Sequence, residues 1–236
     1  MRERRTFLIR LGLTAASLLA AHVRAADDAL LETGYLEYGG TRCYVARSRE
    51  AAVKRPVVLI LHGGRGATPH IEDIARRAAR EGFAAVAPDL RASGADSDQA
   101  MANLLAIIDD LTARPESGAI GAIGFRSGGT AANQLAVRSA KLAAASVFYG
   151  EVPPALDVPR IKARLLLHYA ERDARVNTAV PAYEAALNAA GVQNAIHVYP
   201  GTEHGFFNDE DSARYNPEAA KLAWSRTIAF LKDALQ

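Results

Sequence analysis

Cysteine is nearly absent: the 236 residues contain Cys43 alone. A single chain therefore forms no disulfide and holds no cysteine-based zinc cluster, although a His/Asp metal site is not excluded on this ground. Aromatic residues are sparse, at 7%, and no basic stripe with interleaved aromatics appears, so a nucleic-acid partner is not expected. An excess of one charge sign is missing too. The chain carries a net charge of +2, but residues 1–25 hold five arginines and one glutamate, and the remainder sums to −2. Also missing is a bilayer-spanning apolar run. The longest candidate, Phe7 to Ala21, is interrupted by Arg10 and falls short of the roughly 20 residues a spanning helix needs. What is present is ordinary globular composition, half of it hydrophobic, which is too apolar for a disordered chain. The length suits one large α/β domain with a sizeable core.

The N-terminus accounts for the apparent basicity. Arg2, Arg4 and Arg5 precede the Ala/Leu-rich run, and Val23-Arg24-Ala25 closes it with small residues suited to a signal peptidase. Arg4-Arg5-Thr6-Phe7-Leu8 resembles the twin-arginine export address. Residues 1–25 are therefore expected to be removed after export, leaving 26–236 as a periplasmic or secreted domain with no stable membrane insertion.

The rest alternates apolar strand-like runs with Ala-rich helical segments. Tyr35–Tyr38 and Thr41–Ala46 flank Gly39-Gly40 as an expected hairpin, and Val57–Leu61 reads as a strand buried on both faces. Helices are predicted over Pro69–Glu81, Asp98–Ala113, Gly128–Lys141, Thr178–Ala190 and Ala219–Leu235, the fourth with Gly191 as C-cap. Strands are predicted over Ala84–Ala87, Ala119–Phe125, Ala145–Tyr149, Arg164–Tyr169 and Ile196–Tyr199. This order implies one domain, with a mostly parallel sheet of about seven or eight strands and helices on both faces.

In such sheets reactive groups gather where strands end at their carboxyl side. Gly124-Phe125-Arg126-Ser127-Gly128-Gly129 lies between a strand and a helix and has the layout of a nucleophile elbow, a tight turn that thrusts its apex side chain above the sheet. Asp173 follows one later strand, and His204 follows the next. Elbow, acid, histidine is the chain order of α/β-hydrolase triads, in which the imidazole takes a proton from the nucleophile and the carboxylate fixes its tautomer. His62 and His70, spaced across a Gly-rich loop, do not make a metal signature.

These stretches together resemble the dienelactone hydrolase family. The similarity lies in His62-Gly63-Gly64-Arg65-Gly66-Ala67-Thr68-Pro69-His70-Ile71, in Glu81 to Leu90, in Gly124 to Gly129, in Glu171-Arg172-Asp173 and in Tyr199 to Phe206. The resemblance implies an α/β-hydrolase fold, an ester- or lactone-cleaving activity on a small molecule, and no metal or organic cofactor. It also implies that the backbone N–H of Gly64 faces an oxyanion. The departures are chemical: where the family has a cysteine at the elbow apex this chain has Arg126, and where the family has a glutamate after the third strand it has Gly63. A guanidinium stays protonated and cannot attack a carbonyl.

Two readings follow. In the first, Ser127 attacks through a one-residue shift, His204 is base and acid, Asp173 orients His204, and the backbone N–H groups of Gly64 and Gly128 hold the oxyanion, although Phe125 then occupies a cramped position. In the second, the chain is catalytically inactive and binds a small anion through Arg126, which either covers the site or pairs with Asp173. Arg91 faces the pocket or the surface, and Tyr149 lines the pocket or, as the better reading, packs in the core. The oligomeric state is not expressed in the sequence.

Overall fold

Gly39 and Gly40 both take positive φ, 55° and 73°, a conformation that suits a two-residue hairpin and strains residues with a β-carbon. They join β1 (Leu31–Tyr38) to β2 (Thr41–Ser48), paired antiparallel from Leu31 opposite Ser48 to Tyr38 opposite Thr41. The hairpin is longer than the apolar pattern indicates, because β1 is an edge strand with six consecutive exposed residues and no apolar run to mark it. The computed structural model describes residues 29–50, 54–62, 66–90 and 97–236. The segment 1–25 and the roles expected of Gly63, Gly64 and Arg91 fall outside the described residues.

The remaining strands are β3 (Arg55–Leu61), β4 (Ala84–Pro88), β5 (Ser117–Phe125), β6 (Leu142–Phe148), β7 (Arg164–Arg172) and β8 (Asn194–Glu203). They form one eight-stranded sheet in the order β1-β2-β4-β3-β5-β6-β7-β8, parallel from β4 onward. The helices are α1 (Pro69–Arg80), α2 (Ser97–Ala113), α3 (Ser127–Arg138), α4 (Ala174–Asn177), α5 (Val180–Ala189) and α6 (Pro217–Ala234). Two buried clusters flank the sheet, one on each side. Central β3 serves both: Val57, Leu59 and Leu61 enter one cluster, Val58 and Ile60 the other, and none is more than 2% exposed. Each such side chain stabilises the fold by about 1.5–3 kcal/mol.

Helix α1 buries Ile71, Ile74, Ala75 and Ala78, the stripe its 3.6-residue period predicts. Several boundaries differ from expectation. Helix α3 stops at Arg138 because Ser139 turns extended, with φ −127°, so that β6 can begin at Leu142. The helix expected over Thr178–Ala190 is α5, which starts at Val180 after the short α4 and has Pro181 in its first turn. Proline lacks the N–H needed to continue a preceding helix, so the helix starts around it. A 3-10 turn over Ala155–Arg160, set between Pro154 and Ile161, is additional.

Candidate active site

The bend between β5 and α3 is enforced by backbone contact. A β-carbon on Gly124 would lie 2.2 Å from the carbonyl oxygen of Gly128, and one on Gly128 would lie 2.2 Å from that of Leu61. Neither neighbour is the tip of a movable side chain. Between these glycines Arg126 adopts φ 57° and ψ −122°, a conformation costing about 1–3 kcal/mol in a residue other than glycine. The strained apex is therefore Arg126, with a glycine two positions to either side. Its N–H donates to Phe148 O at 3.1 Å, and its own carbonyl accepts from Thr130 N–H at 3.0 Å. Ser127 is the first residue of α3 and is exposed.

Strand register assembles the rest. In β7 and β8, Arg172 stands opposite Glu203, so the next residues, Asp173 and His204, emerge side by side. His204 Nδ1 donates to Asp173 Oδ2 at 2.6 Å, and Asp173 is 6% exposed. With its proton on Nδ1, the imidazole leaves Nε2 at its opposite edge as the free base. In β5 and β6, Phe125 stands opposite Phe148, which makes Arg126 and Tyr149 neighbours by the same rule. They are the two residues other than glycine with positive φ among those described, 57° and 42°.

Tyr149 joins the two halves. Its ring centroid lies 4.9 Å from that of His204, and burial raises its hydroxyl well above the usual tyrosine range, against the opposing charge of Arg126. The Arg126 guanidinium rests on the residue after His204: a β-carbon on Gly205 would lie 2.3 Å from Nη2 and 3.0 Å from Cζ. Arg126 Nη2 forms its ion pair with Asp211, at 3.8 Å, while Asp173 is engaged by His204. A cleft of about 130 Å³ opens beside Arg126, lined by Ile71, Phe125, Arg126, Tyr149, Asn208 and others, with His204 and Asp173 outside its lining.

The sequence model described as the Dienelactone hydrolase family matches residues 41–106 and 94–235. The chain belongs to that family. A Synechocystis sp. protein provisionally named carboxymethylenebutenolidase is 29% identical over 218 residues, covering 77% of this chain and 87% of the relative. A Saccharolobus solfataricus protein of the same provisional name is 37% identical over 111 residues; there the chain spans 42% of the relative's length. The solved structure of a provisionally named dienelactone hydrolase from Klebsiella pneumoniae superposes with a TM-score of 0.76 at 26% identity, covering 84% of this chain and 97% of that one. The eight-stranded, mostly parallel sheet is that of these α/β-hydrolase neighbours.

In this member of the dienelactone hydrolase family the apex residue is Arg126. Its one thiol is elsewhere: Cys43 is fully buried in β2, its Sγ is 3.3 Å from Thr41 O, and burial pushes it up to about 12. Of the residues singled out by sequence, Asp173 and His204 are in direct contact, Arg126 sits at the cleft, Ser127 faces solvent at the start of α3, and Gly128 is packed beneath the turn. His62 Nε2 lies 3.0 Å from Pro88 O, and His70 Nδ1 lies 2.8 Å from Asp209 Oδ1, the latter at the cleft rim with Arg77. Tyr149 meets both expectations for it, packing in the core and lining the cleft. Sequence reasoning missed Asp211 and Phe207. Phe207 stacks within 5.1 Å of Phe125 and 5.0 Å of Phe148, and the aromatic pair Phe206-Phe207 directly after His204 was the available signal.

Proposed function

We propose that the protein is an exported hydrolase of small carboxylic esters or lactones, with His204 as general base and acid and Asp173 as the carboxylate that orients it. The observation that carries this reading is the 2.6 Å contact between His204 Nδ1 and a nearly buried Asp173 at the carboxyl ends of adjacent strands. That arrangement leaves Nε2 to take a proton from an attacking oxygen and return it to the leaving alkoxide. The provisional names of the relatives point the same way. Export rests on the arginine-led segment 1–25, and no helix among the described residues is long and apolar enough to cross a membrane.

A Ser/His/Asp form of the reaction takes its oxygen from Ser127 and forms a covalent acyl intermediate. A second reading, an inactive binder of a small anion, draws on the register of the elbow, which gives the apex to a permanent cation. Hydrolysis of p-nitrophenyl acetate by the purified chain, abolished in His204→Ala, supports the enzyme. A wild-type protein without turnover that binds carboxylates only while Arg126 is present supports the binder. Mass analysis of the periplasmic fraction for a chain beginning after Ala25 tests export.

A further inference from the structure

We propose that Arg126 is a catalytic residue that replaces covalent catalysis altogether: it holds the developing oxyanion while His204 activates a water for direct attack on the ester carbonyl. The inference rests on the hydrolase reading above and deepens it.

Three observations meet here. The elbow apex aims one side chain into the cleft, and the backbone strain and both flanking glycines assign that place to Arg126. The guanidinium is seated on Gly205, the peptide neighbour of His204, so the donor and the base are carried by adjoining pieces of backbone. Both side chains are open to solvent, Arg126 by 33% and His204 by 25%, whereas Asp173 is closed off at 6%. Solvent can therefore reach the imidazole, and the carboxylate that must keep its proton partner is shielded. Arg126 is not locked into a tight ion pair, since Asp211 stands 3.8 Å away. Its N–H groups are thus available to a substrate oxygen.

The step balances without a protein nucleophile. Water attacks the carbonyl carbon as His204 Nε2 takes its proton. The carbonyl π pair moves onto oxygen, where the guanidinium donates to it. On collapse that pair re-forms the C=O bond, the C–O bond to the leaving group breaks, and His204 returns the proton to the departing alkoxide. The products are the carboxylic acid and the alcohol, with His204 restored to its free form. The compact cleft favours short acyl groups.

The test is rapid-quench hydrolysis of p-nitrophenyl acetate with intact-mass detection, on the mature chain and on Arg126→Met, Arg126→Lys, Ser127→Ala and His204→Ala. Direct attack gives product release that is linear from the first turnover and no acyl mass gain. Arg126→Met lowers kcat by about 10²–10³, the scale of removing one oxyanion donor, and Arg126→Lys keeps part of the rate. A burst with acyl mass on Ser127 overturns the proposal and leaves the hydrolase reading standing. So does Arg126→Met at wild-type kcat, or a change confined to KM, as a binding role alone would give. Absence of hydrolysis by the wild-type protein, or a rate indifferent to His204→Ala, overturns both.

Discussion

Replacing Asp173 by asparagine separates catalysis from folding at one atom. The carboxylate accepts the His204 Nδ1 proton at 2.6 Å. It also lies at the start of α4, where its backbone carbonyl accepts from Val176 N–H at 3.2 Å and Asn177 N–H at 2.9 Å. Asparagine keeps the volume and those backbone bonds. It can turn its amide NH₂ toward Nδ1, which selects the tautomer with the proton on Nε2 and removes the base. In the Ser-His-Asp template the same exchange lowers kcat by about 10⁴, equivalent to about 5.5 kcal/mol of transition-state stabilisation. The folding cost is smaller. A hydrogen bond to a charged group contributes about 1.5–3 kcal/mol net, and the variant no longer desolvates a charge, so that range is an upper bound. Each kcal/mol shifts Tm by about 2–4 °C in a chain of this size. The expected outcome of Asp173→Asn is therefore a folded protein with a modestly lowered Tm and a loss of kcat/KM on p-nitrophenyl acetate that is far larger than the stability change explains. A folded variant retaining wild-type kcat/KM refutes the argument that Asp173 orients a working base.

Three further outcomes follow from separate parts of the fold. Arg126→Cys places a thiol at the apex beside the histidine loop while Cys43 stays buried, so iodoacetamide should alkylate the native variant at residue 126 alone; a folded variant inert to alkylation would count against the elbow assignment. Gly128→Ala drives a β-carbon to 2.2 Å from Leu61 O, an overpacking against backbone that should cost about 3 kcal/mol or more, read as a lower denaturant midpoint. His168 is fully buried, and desolvation first, then the charges of His197 and Arg226, hold its imidazole well below the usual histidine range. The unfolded chain takes up that proton below about pH 6.5 and the native chain does not. Stability is thus full above that pH and lost as pH falls toward the depressed native value, by up to about 1.4 kcal/mol per pH unit. Denaturant melts at stepped pH measure this slope. His168→Leu should remove most of it, leaving the smaller share of His197, which burial also lowers.

The parts of the fold legible in sequence are those whose burial is one-dimensional. β3 appears as five consecutive apolar residues because it is covered on both faces, and α1 appears through its 3.6-residue stripe because one face meets the sheet. β1 and β8 were read short because edge strands need no apolar run; β8 leaves Val198 52% exposed. At the site, glycine spacing and the order of elbow, acid and histidine pointed to Asp173 and His204. What could not be read was adjacency between strands far apart in the chain. The pairing of Phe125 with Phe148 and of Arg172 with Glu203 makes neighbours of Arg126 and Tyr149, and of Asp173 and His204. Registers of this kind depend on the packing of every intervening strand, which no local pattern records.

The elbow and the proton-transfer pair are built from independent parts, and this decides what an arginine at the apex does to the chemistry. The contacts enforcing the bend are made by backbone and the Ala132 β-carbon: Gly128 against Leu61 and His62, Gly124 against Gly128 and Ala132, Gly129 against Phe148 and Gly150. None involves the apex side chain, so the turn holds φ near 57° at position 126 and strains any residue there but glycine. The histidine and its carboxylate hang from β8 and β7, three and two strands removed from β5, and their hydrogen bond involves no elbow residue. A guanidinium at the apex therefore leaves both the bend and the base intact and supplies a hydrogen-bond donor with fixed positive charge in place of an electron-pair donor. Such a site has the means to remove a proton and a means to hold a negative oxygen. The attacking atom must then come from outside the apex, and the solvent-open edge of His204 is where this geometry can receive it.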